Sequence, residues 1–306
     1  MAHSCMPNVS VIIPAYNCED LVAEAVASVR EQTYRDFETI VVDDGSTDGT
    51  WEVIQQLGRD WPELQTMRVE HRGLAAARNA AIAKSTGQWI ALLDSDDLWL
   101  PEKLARCMAF LDANPDLSIV YTPMAPIRMD GTPMQGHSKP CKSGWLAKAL
   151  FQSIFVHDPA SVFHKRVIET CGGFNEALPV CVGHDFWLRV SMKFAFGLID
   201  EPLALRRWSE TSLTRSRRSQ GGMIKSRMLE EFYFEKGGSD IVDRPTAMKR
   251  LAKVHYHTGK NLLAEGRLRQ AATYLKKAST FRPMWLKPYL YRLAALARAP
   301  LAKKRG

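Results

Sequence analysis

With 306 residues, 46% of them hydrophobic, the chain can bury one large core or a core plus a small satellite domain, yet its longest apolar runs, such as VSVII and WIALL, are far too short to cross a bilayer. Six cysteines without a CxxC pair exclude a zinc ribbon or a small disulfide scaffold, and residues 1–20 lack a basic stretch followed by a long apolar run, so a reducing cytosol is the expected home. The net charge of +8 divides unevenly: from Arg244 onward sixteen Lys and Arg face the single Glu265, a net of +15 that leaves −7 on the remainder, and such a basic part seeks the phosphates of lipid or nucleic acid.

Residues 9–13 (VSVII) read as a buried parallel strand, ended by Pro14 and the polar loop Ala15-Tyr16-Asn17. Glu19 to Glu31 reads as a helix, because Leu21, Val22, Ala25, Val26 and Val29 recur at helical spacing. Phe37 to Val42 (FETIVV) is a second strand running into Asp43-Asp44-Gly45-Ser46-Thr47-Asp48, a turn-forming and helix-capping sequence. A helix over Thr50 to Leu57 and a short strand over 67–70 follow. Gly73 to Lys84 is a small-residue helix carrying Arg78 and Asn79, and the strand WIALL then ends in the carboxylates Asp94, Asp96 and Asp97.

Strand and helix alternate in units of about thirty residues, the pattern of a parallel α/β sheet covered on both faces. Ligands in such sheets collect beyond the carboxyl ends of the strands, where Tyr16, Asp44 and Asp94 to Asp97 all fall. No G-x-G-x-x-G follows the first strand and no G-x-x-x-x-G-K-[ST] occurs, which argues against a dinucleotide dehydrogenase and a P-loop NTPase. Asp-x-Asp at a strand end offers hard oxygen ligands for Mg²⁺ or Mn²⁺, ions that complete their shell with waters and substrate phosphates. Read without that ion, the same residues are an acidic turn before a helix with Pro101 in or near its first turn.

VSVIIPAYN, FETIVVDDGSTDGT and GLAAARNAAIAKSTGQWIALLDSDDLWLPEKL resemble, in order and spacing, the nucleotide-sugar-binding half of the family 2 inverting glycosyltransferases of GT-A fold. The resemblance covers about residues 8–115. It implies a Rossmann-like mixed α/β sheet and a nucleotide-diphosphate sugar donor, a UDP-sugar first. Pro14, Ala15 and Tyr16 would line the base pocket, with Tyr16 packed on the base or merely closing the sheet edge. Asp44 would hydrogen-bond the base, and Asp43 would cap the helix. Arg78 would reach the base or phosphates, or else sit in a surface salt bridge. Asp94 would touch the ribose, with Ser95 beside it, and Asp96 with Asp94 would hold the metal.

Residues 116–235 would then be the acceptor half of a domain spanning 1–235. Leu117 to Thr122 reads as a strand and Gly131 to Gly144 as a polar loop. The segment HDPASVFHKRVIETCGGFNEALPVCVGHDFWLRVSMK resembles the family's second conserved region. An inverting transfer needs one base for the acceptor hydroxyl, and the resemblance assigns it to Asp185, whose other reading is an N-cap for a helix starting near Phe186. Many members have Glu-Asp here, whereas this chain has His184, an alternative base or a pH-sensitive neighbour. His157 and Asp158 would line the acceptor cleft, the His also reading as a structural residue. Processive members carry Q-x-x-R-W, but Ala204 stands three before Arg207, so the motif is incomplete and a single transfer is expected. Thr211 to Arg218 suits a loop closing over the diphosphate, or a solvated basic loop.

From residue 236 to 306 a helical extension is expected. Ala247 to Leu263 and Leu268 to Ser279 form a hairpin whose Gly259, Leu262, Gly266, Ala271, Ala278 and Pro283 resemble a tetratricopeptide unit. Met284 to Gly306 places Trp285, Leu286, Tyr289, Leu290, Tyr291, Leu293 and Leu296 among Lys and Arg. It reads as a tail resting peripherally on an anionic membrane surface, with no nucleic acid as partner, or as a packed helix with a solvated basic face. The sequence thus points to a metal-dependent enzyme adding one sugar to a glycan or lipid-linked acceptor in cell-surface polysaccharide biosynthesis. Its alternative is a non-catalytic glycosyltransferase-like scaffold that binds partners through the helical tail.

Overall fold

The apolar strand segments assemble side by side in the computed structural model, which describes residues 6–135, 140–208 and 218–302. Strand β1 (Val9–Ala15) is buried along its whole length because it lies between β2 (Phe37–Asp43) and β4 (Trp89–Leu92), parallel to both. Each fully enclosed Val or Ile there contributes about 1.5–3 kcal/mol. Outside β2 runs β3 (Leu64–Arg68), again parallel. It lies ahead of the expected 67–70, and only Leu64 of its five residues is buried, so no apolar alternation marks it.

Three helices cover this half: α1 (Val22–Arg30), α2 (Thr50–Asp60) and α3 (Leu74–Lys84). Helix α1 begins three residues later than expected, because Glu19 is drawn sideways, its carboxylate accepting the Gly49 N–H at 2.7 Å. Gly73, at φ +95°, turns the chain into α3.

Beyond β4 the sheet changes direction. Strand β8 (Ser161–His164) pairs antiparallel with β4 and with β6 (Ile119–Tyr121), and β9 (Gly197–Leu198) closes the order β3-β2-β1-β4-β8-β6-β9. A second sheet, β5-β10-β7, is made from β5 (Leu98–Trp99), β10 (Ala204–Arg207) and β7 (Met124–Ile127). Helices α4 (Lys103–Asp112), α5 (Ala147–Gln152), α6 (Arg166–Cys171) and α7 (Val182–Val190) complete this unit. Helix α7 starts at Val182 rather than near Phe186, so Asp185 is an internal helical residue and not its N-cap. Its entry is Cys181, at φ +66°, whose carbonyl accepts the Asp185 N–H at 3.0 Å.

Residues 1–209 and 210–306 form two compact units. The division precedes the expected 235/236 because α8 (Arg218–Phe234) packs along α9 (Arg244–Ala264) in the second unit. Helix α9 is capped by Asp243, whose carboxylate accepts the Thr246 N–H at 2.9 Å, with proline in its first turn. It ends at Gly266, at φ +74°, and α10 (Leu268–Phe281) folds back against it. Helix α11 (Leu286–Ala302) follows and packs on α10. The loop expected over Thr211 to Arg218 lies outside the described residues except for Arg218, which opens α8, as do 136–139 of the polar loop.

Candidate active site

Four segments leave the first unit's parallel strands at their carboxyl ends and meet there. After β1, the Tyr16 ring stacks on His71, with centroids 4.1 Å apart and planes 16° from parallel. After β2, buried Asp43 pairs with Arg68 at 3.0 Å and accepts the Ser46 N–H. Asp44 accepts N–H groups from Arg72 at 3.0 Å and Gly73 at 2.9 Å and faces Nδ1 of His71 at 2.9 Å. Asp44 therefore holds the 71–73 turn that carries the stacked His71.

Helix α3 sends Arg78 inward. Its guanidinium is fully buried and bridges two carboxylates, Asp94 at 2.5 Å and Asp158 at 2.6 Å, while lying 5.2 Å from the centre of the Phe174 ring. The surface salt bridge read as one option for Arg78 is thus an interior one. Asp158 opens the 3-10 turn Asp158–Ala160 ahead of β8, and its other oxygen accepts the Trp187 Nε1–H of α7 at 2.7 Å.

After β4, carboxylate oxygens of Asp94, Asp96 and Asp97 lie within 4.8 Å of one another. Burial raises all three above the ordinary carboxylate range, and repulsion from neighbouring carboxylates adds to it: Asp158 at Asp94, and members of the cluster at Asp96 and Asp97. Asp96, at the rim, is pushed up to about 6, first by its packed surroundings and then by Asp94. Asp97 is raised well above its ordinary value by burial, then by Asp96 and Asp94, although it accepts the Arg207 N–H at 3.0 Å. Asp94 stays raised by burial despite Arg78. Three crowded, under-compensated carboxylates are a donor set that fits a hard divalent cation. Arg206, on β10, is a further positive charge acting on all three.

Ser95 lies within hydrogen-bonding reach of the Cys18 thiol. Pro14 and Ala15 end β1, and the Ala15 carbonyl accepts the Asp44 N–H at 2.9 Å. Asp185 does not join this network. Its carboxylate accepts from Arg189 at 2.9 Å, one turn along α7, and Arg189 is tied to the carbonyls of Cys171 and Gly173. His184 is buried with Nε2 3.1 Å from the Leu150 carbonyl.

Residues 10–172 match the family model described as glycosyl transferase family 2. The chain belongs to that family. Among curated relatives, it is 34% identical over 187 residues to a chondroitin synthase of Pasteurella multocida, covering 61% of this chain and 19% of that one. It is 40% identical over 107 residues to the Escherichia coli UDP-Glc:alpha-D-GlcNAc-diphosphoundecaprenol beta-1,3-glucosyltransferase WfaP, covering 35% and 42% of the two chains. A third relative is the teichuronic acid biosynthesis glycosyltransferase TuaG, described as putative, of Bacillus subtilis, 37% identical over 129 residues, or 42% of this chain and 51% of that one. The chain spans from about a fifth to about half of these relatives' lengths.

Solved structures agree on the fold. S. aureus TarS residues 1–349, in complex with UDP-GlcNAc, superimposes with a TM-score of 0.69 at 17% identity, over 94% of this chain and 89% of that one. The Pyrobaculum calidifontis mannosyltransferase PcManGT, with GDP-Man and Mn²⁺, gives 0.57 at 22% identity, over 96% and 87%. The family 2 domain thus has the expected GT-A architecture of a mixed sheet, followed by an all-helical segment. Sequence reasoning passed over His71 and Arg68. His71 directly follows the expected strand over 67–70, where the strand-end rule that singled out Tyr16 and Asp44 already points, whereas Arg68 comes to a strand end only with β3 at Leu64–Arg68.

Proposed function

We propose that the chain transfers one sugar, with inversion, from a nucleotide-diphosphate donor, a UDP-sugar first, to a hydroxyl of a glycan or lipid-linked acceptor in cell-surface polysaccharide synthesis. The observation that carries this is the Asp94, Asp96, Asp97 cluster, its oxygens within 4.8 Å of one another at the carboxyl end of β4. Asp94 and Asp96 would hold Mn²⁺ or Mg²⁺, which supplies positive charge for the leaving diphosphate. Tyr16 and His71 offer a flat aromatic surface for the base, and Asp44 fixes the turn that presents it. Arg78 orients Asp94 from within. The neighbouring structures hold UDP-GlcNAc in one case and GDP-Man with Mn²⁺ in the other, which supports a nucleotide-sugar donor.

No helix among the described residues is long and apolar enough to cross a membrane. A cytoplasmic enzyme lying peripherally on the inner membrane face, through the basic second unit, accords with that and with a lipid-linked acceptor.

Isothermal titration of UDP and GDP, with and without Mn²⁺, tests the reading on wild type and Asp96→Ala. Mn²⁺-dependent UDP binding, weakened at least about tenfold in Asp96→Ala, is the expected result. Binding that ignores both the metal and the substitution sinks the metal-assisted donor site.

A further inference from the structure

We propose that Asp158 is the base that takes the acceptor proton, in the role the sequence motif assigns to Asp185. The inference rests on the glycosyl-transfer reading above and deepens it. Helix geometry separates the two candidates. Residues four apart share a helix face, whereas two apart lie roughly 160° from each other round the axis. On α7, Trp187 donates to Asp158, and a Cβ built at Gly183 would sit 2.5 Å from Oδ1 of Asp158, so positions 183 and 187 both face that carboxylate. Asp185 and Arg189 share the opposite face, where Arg189 is anchored to two backbone carbonyls. The face of α7 turned to the buried Arg78 network therefore carries glycine where a side chain would stand, and the Asp158 carboxylate occupies that space.

Asp158 is also tied to the proposed donor site. One guanidinium, that of Arg78, touches both Asp158 and Asp94, so the two carboxylates are separated by the width of a single planar group. Each Asp158 oxygen accepts one hydrogen bond in the structure, from Arg78 or from Trp187, and keeps a second lone pair; the side chain remains 12% exposed. In the step proposed, the acceptor oxygen bonds to the anomeric carbon and the bond from that carbon to the diphosphate oxygen breaks. The electron pair leaves on the diphosphate, and the hydroxyl proton passes to the Asp158 carboxylate.

The full chain with Mn²⁺ tests this by hydrolysis of UDP-glucose and UDP-N-acetylglucosamine, water serving as acceptor, with UDP affinity titrated on the same samples. Asp158→Asn is expected to lower kcat about 100-fold or more while UDP affinity stays within about threefold of wild type. Adding Gly183→Asp to Asp158→Ala puts a carboxylate back in the same space and is expected to recover at least about tenfold of the lost kcat. Should Asp158→Asn fail to fold because Arg78 loses a partner, Asp158→Glu carries the test. It keeps the charge, displaces the oxygens by one methylene, and is expected to cost about tenfold or more in kcat.

An unchanged kcat in the folded Asp158 variant overturns the proposal. So does a fall in kcat matched by an equal loss of UDP affinity, or a loss confined to Asp185→Asn. A wild type that binds UDP but hydrolyses neither donor removes the base while leaving the donor site standing. A wild type that does neither removes the glycosyl-transfer reading itself.

Discussion

Asp96, proposed above as a metal ligand, carries its charge at the expense of stability. Its carboxyl is raised from an ordinary 3.8 to about 6, so the folded chain binds that proton more tightly than the unfolded chain does. Stability from this group is therefore full below about pH 4 and lost as pH rises through about 6. At pH 7.5 without metal, Asp96→Asn should stabilise the fold by on the order of 1 kcal/mol or less, because the side chain lies at a solvent-screened rim, and so raise the melting temperature. The gain should vanish below about pH 4, and adding Mn²⁺ should reverse the order, since only wild type gains from binding. Thermal unfolding at the two pH values checks this, and a destabilised Asp96→Asn in metal-free buffer would mean that the protein already compensates the charge. Asp94, Asp96, Tyr16 and Asp44 could be singled out as candidates because each stands just after an apolar strand. The choice between Asp158 and Asp185 was not. It depends on the rotational phase of α7, and that phase is set by a start at Val182 behind the left-handed Cys181, which no periodicity announces.

At the scale of elements, what the sequence disclosed followed the strength of its pattern. Strands β1, β2 and β4 fall where VSVII, FETIVV and WIALL placed them, except that β1 runs on, still buried, through Pro14 and Ala15, where an end was expected. Strand β3 has an exposed LQTMR face and was placed a few residues late. The antiparallel insertion of β8 between β4 and β6 has no local signature at all, since strand direction is decided by the connections and not by the residues within the strand. The helical hairpin was legible for a different reason, its small residues. A Cβ at Gly259 of α9 would stand 2.6 Å from Cγ of Leu275 on α10 and 3.2 Å from the Ala271 carbonyl, so the two helices approach as closely as they do because that side chain is missing. Glycine in a helix interior costs about 1 kcal/mol against alanine, which a branched replacement would partly regain. The steric term should win: Gly259→Val is expected to destabilise by about 2 kcal/mol or more, read by urea denaturation followed through helical circular dichroism. A neutral or stabilising result would show that the hairpin can open without loss.

For the whole molecule the governing feature is the separation of charge, with +15 on residues 244–306 against −7 on the rest. A net charge of that density on one unit is poorly explained by folding, which it opposes through self-repulsion, and well explained by an anionic counterpart. Helix α11 adds a second requirement, because Leu286, Leu290 and Leu293 recur along one face and are 71%, 64% and 65% exposed, while Ala295 on another face is fully buried. Basic residues together with an exposed leucine stripe fit the interface of an anionic bilayer, where each Lys or Arg near the surface contributes about 1 kcal/mol and the leucines enter the acyl boundary. Vesicles of phosphatidylcholine with and without phosphatidylglycerol, floated on a density gradient, separate the contributions. The full chain should float with the anionic vesicles at about 0.1 M salt and be released at about 0.5 M, where screening shortens electrostatic reach to a few ångströms. Leu290→Glu with Leu293→Glu should cut binding at least about tenfold even at low salt, because two buried leucines are lost and two like charges face the lipid. Binding that survives both the double substitution and removal of residues 284–306 would place the contact elsewhere. If vesicles fail to bind while the leucine substitutions dissolve a concentration-dependent self-association, the stripe covers another copy of the chain instead.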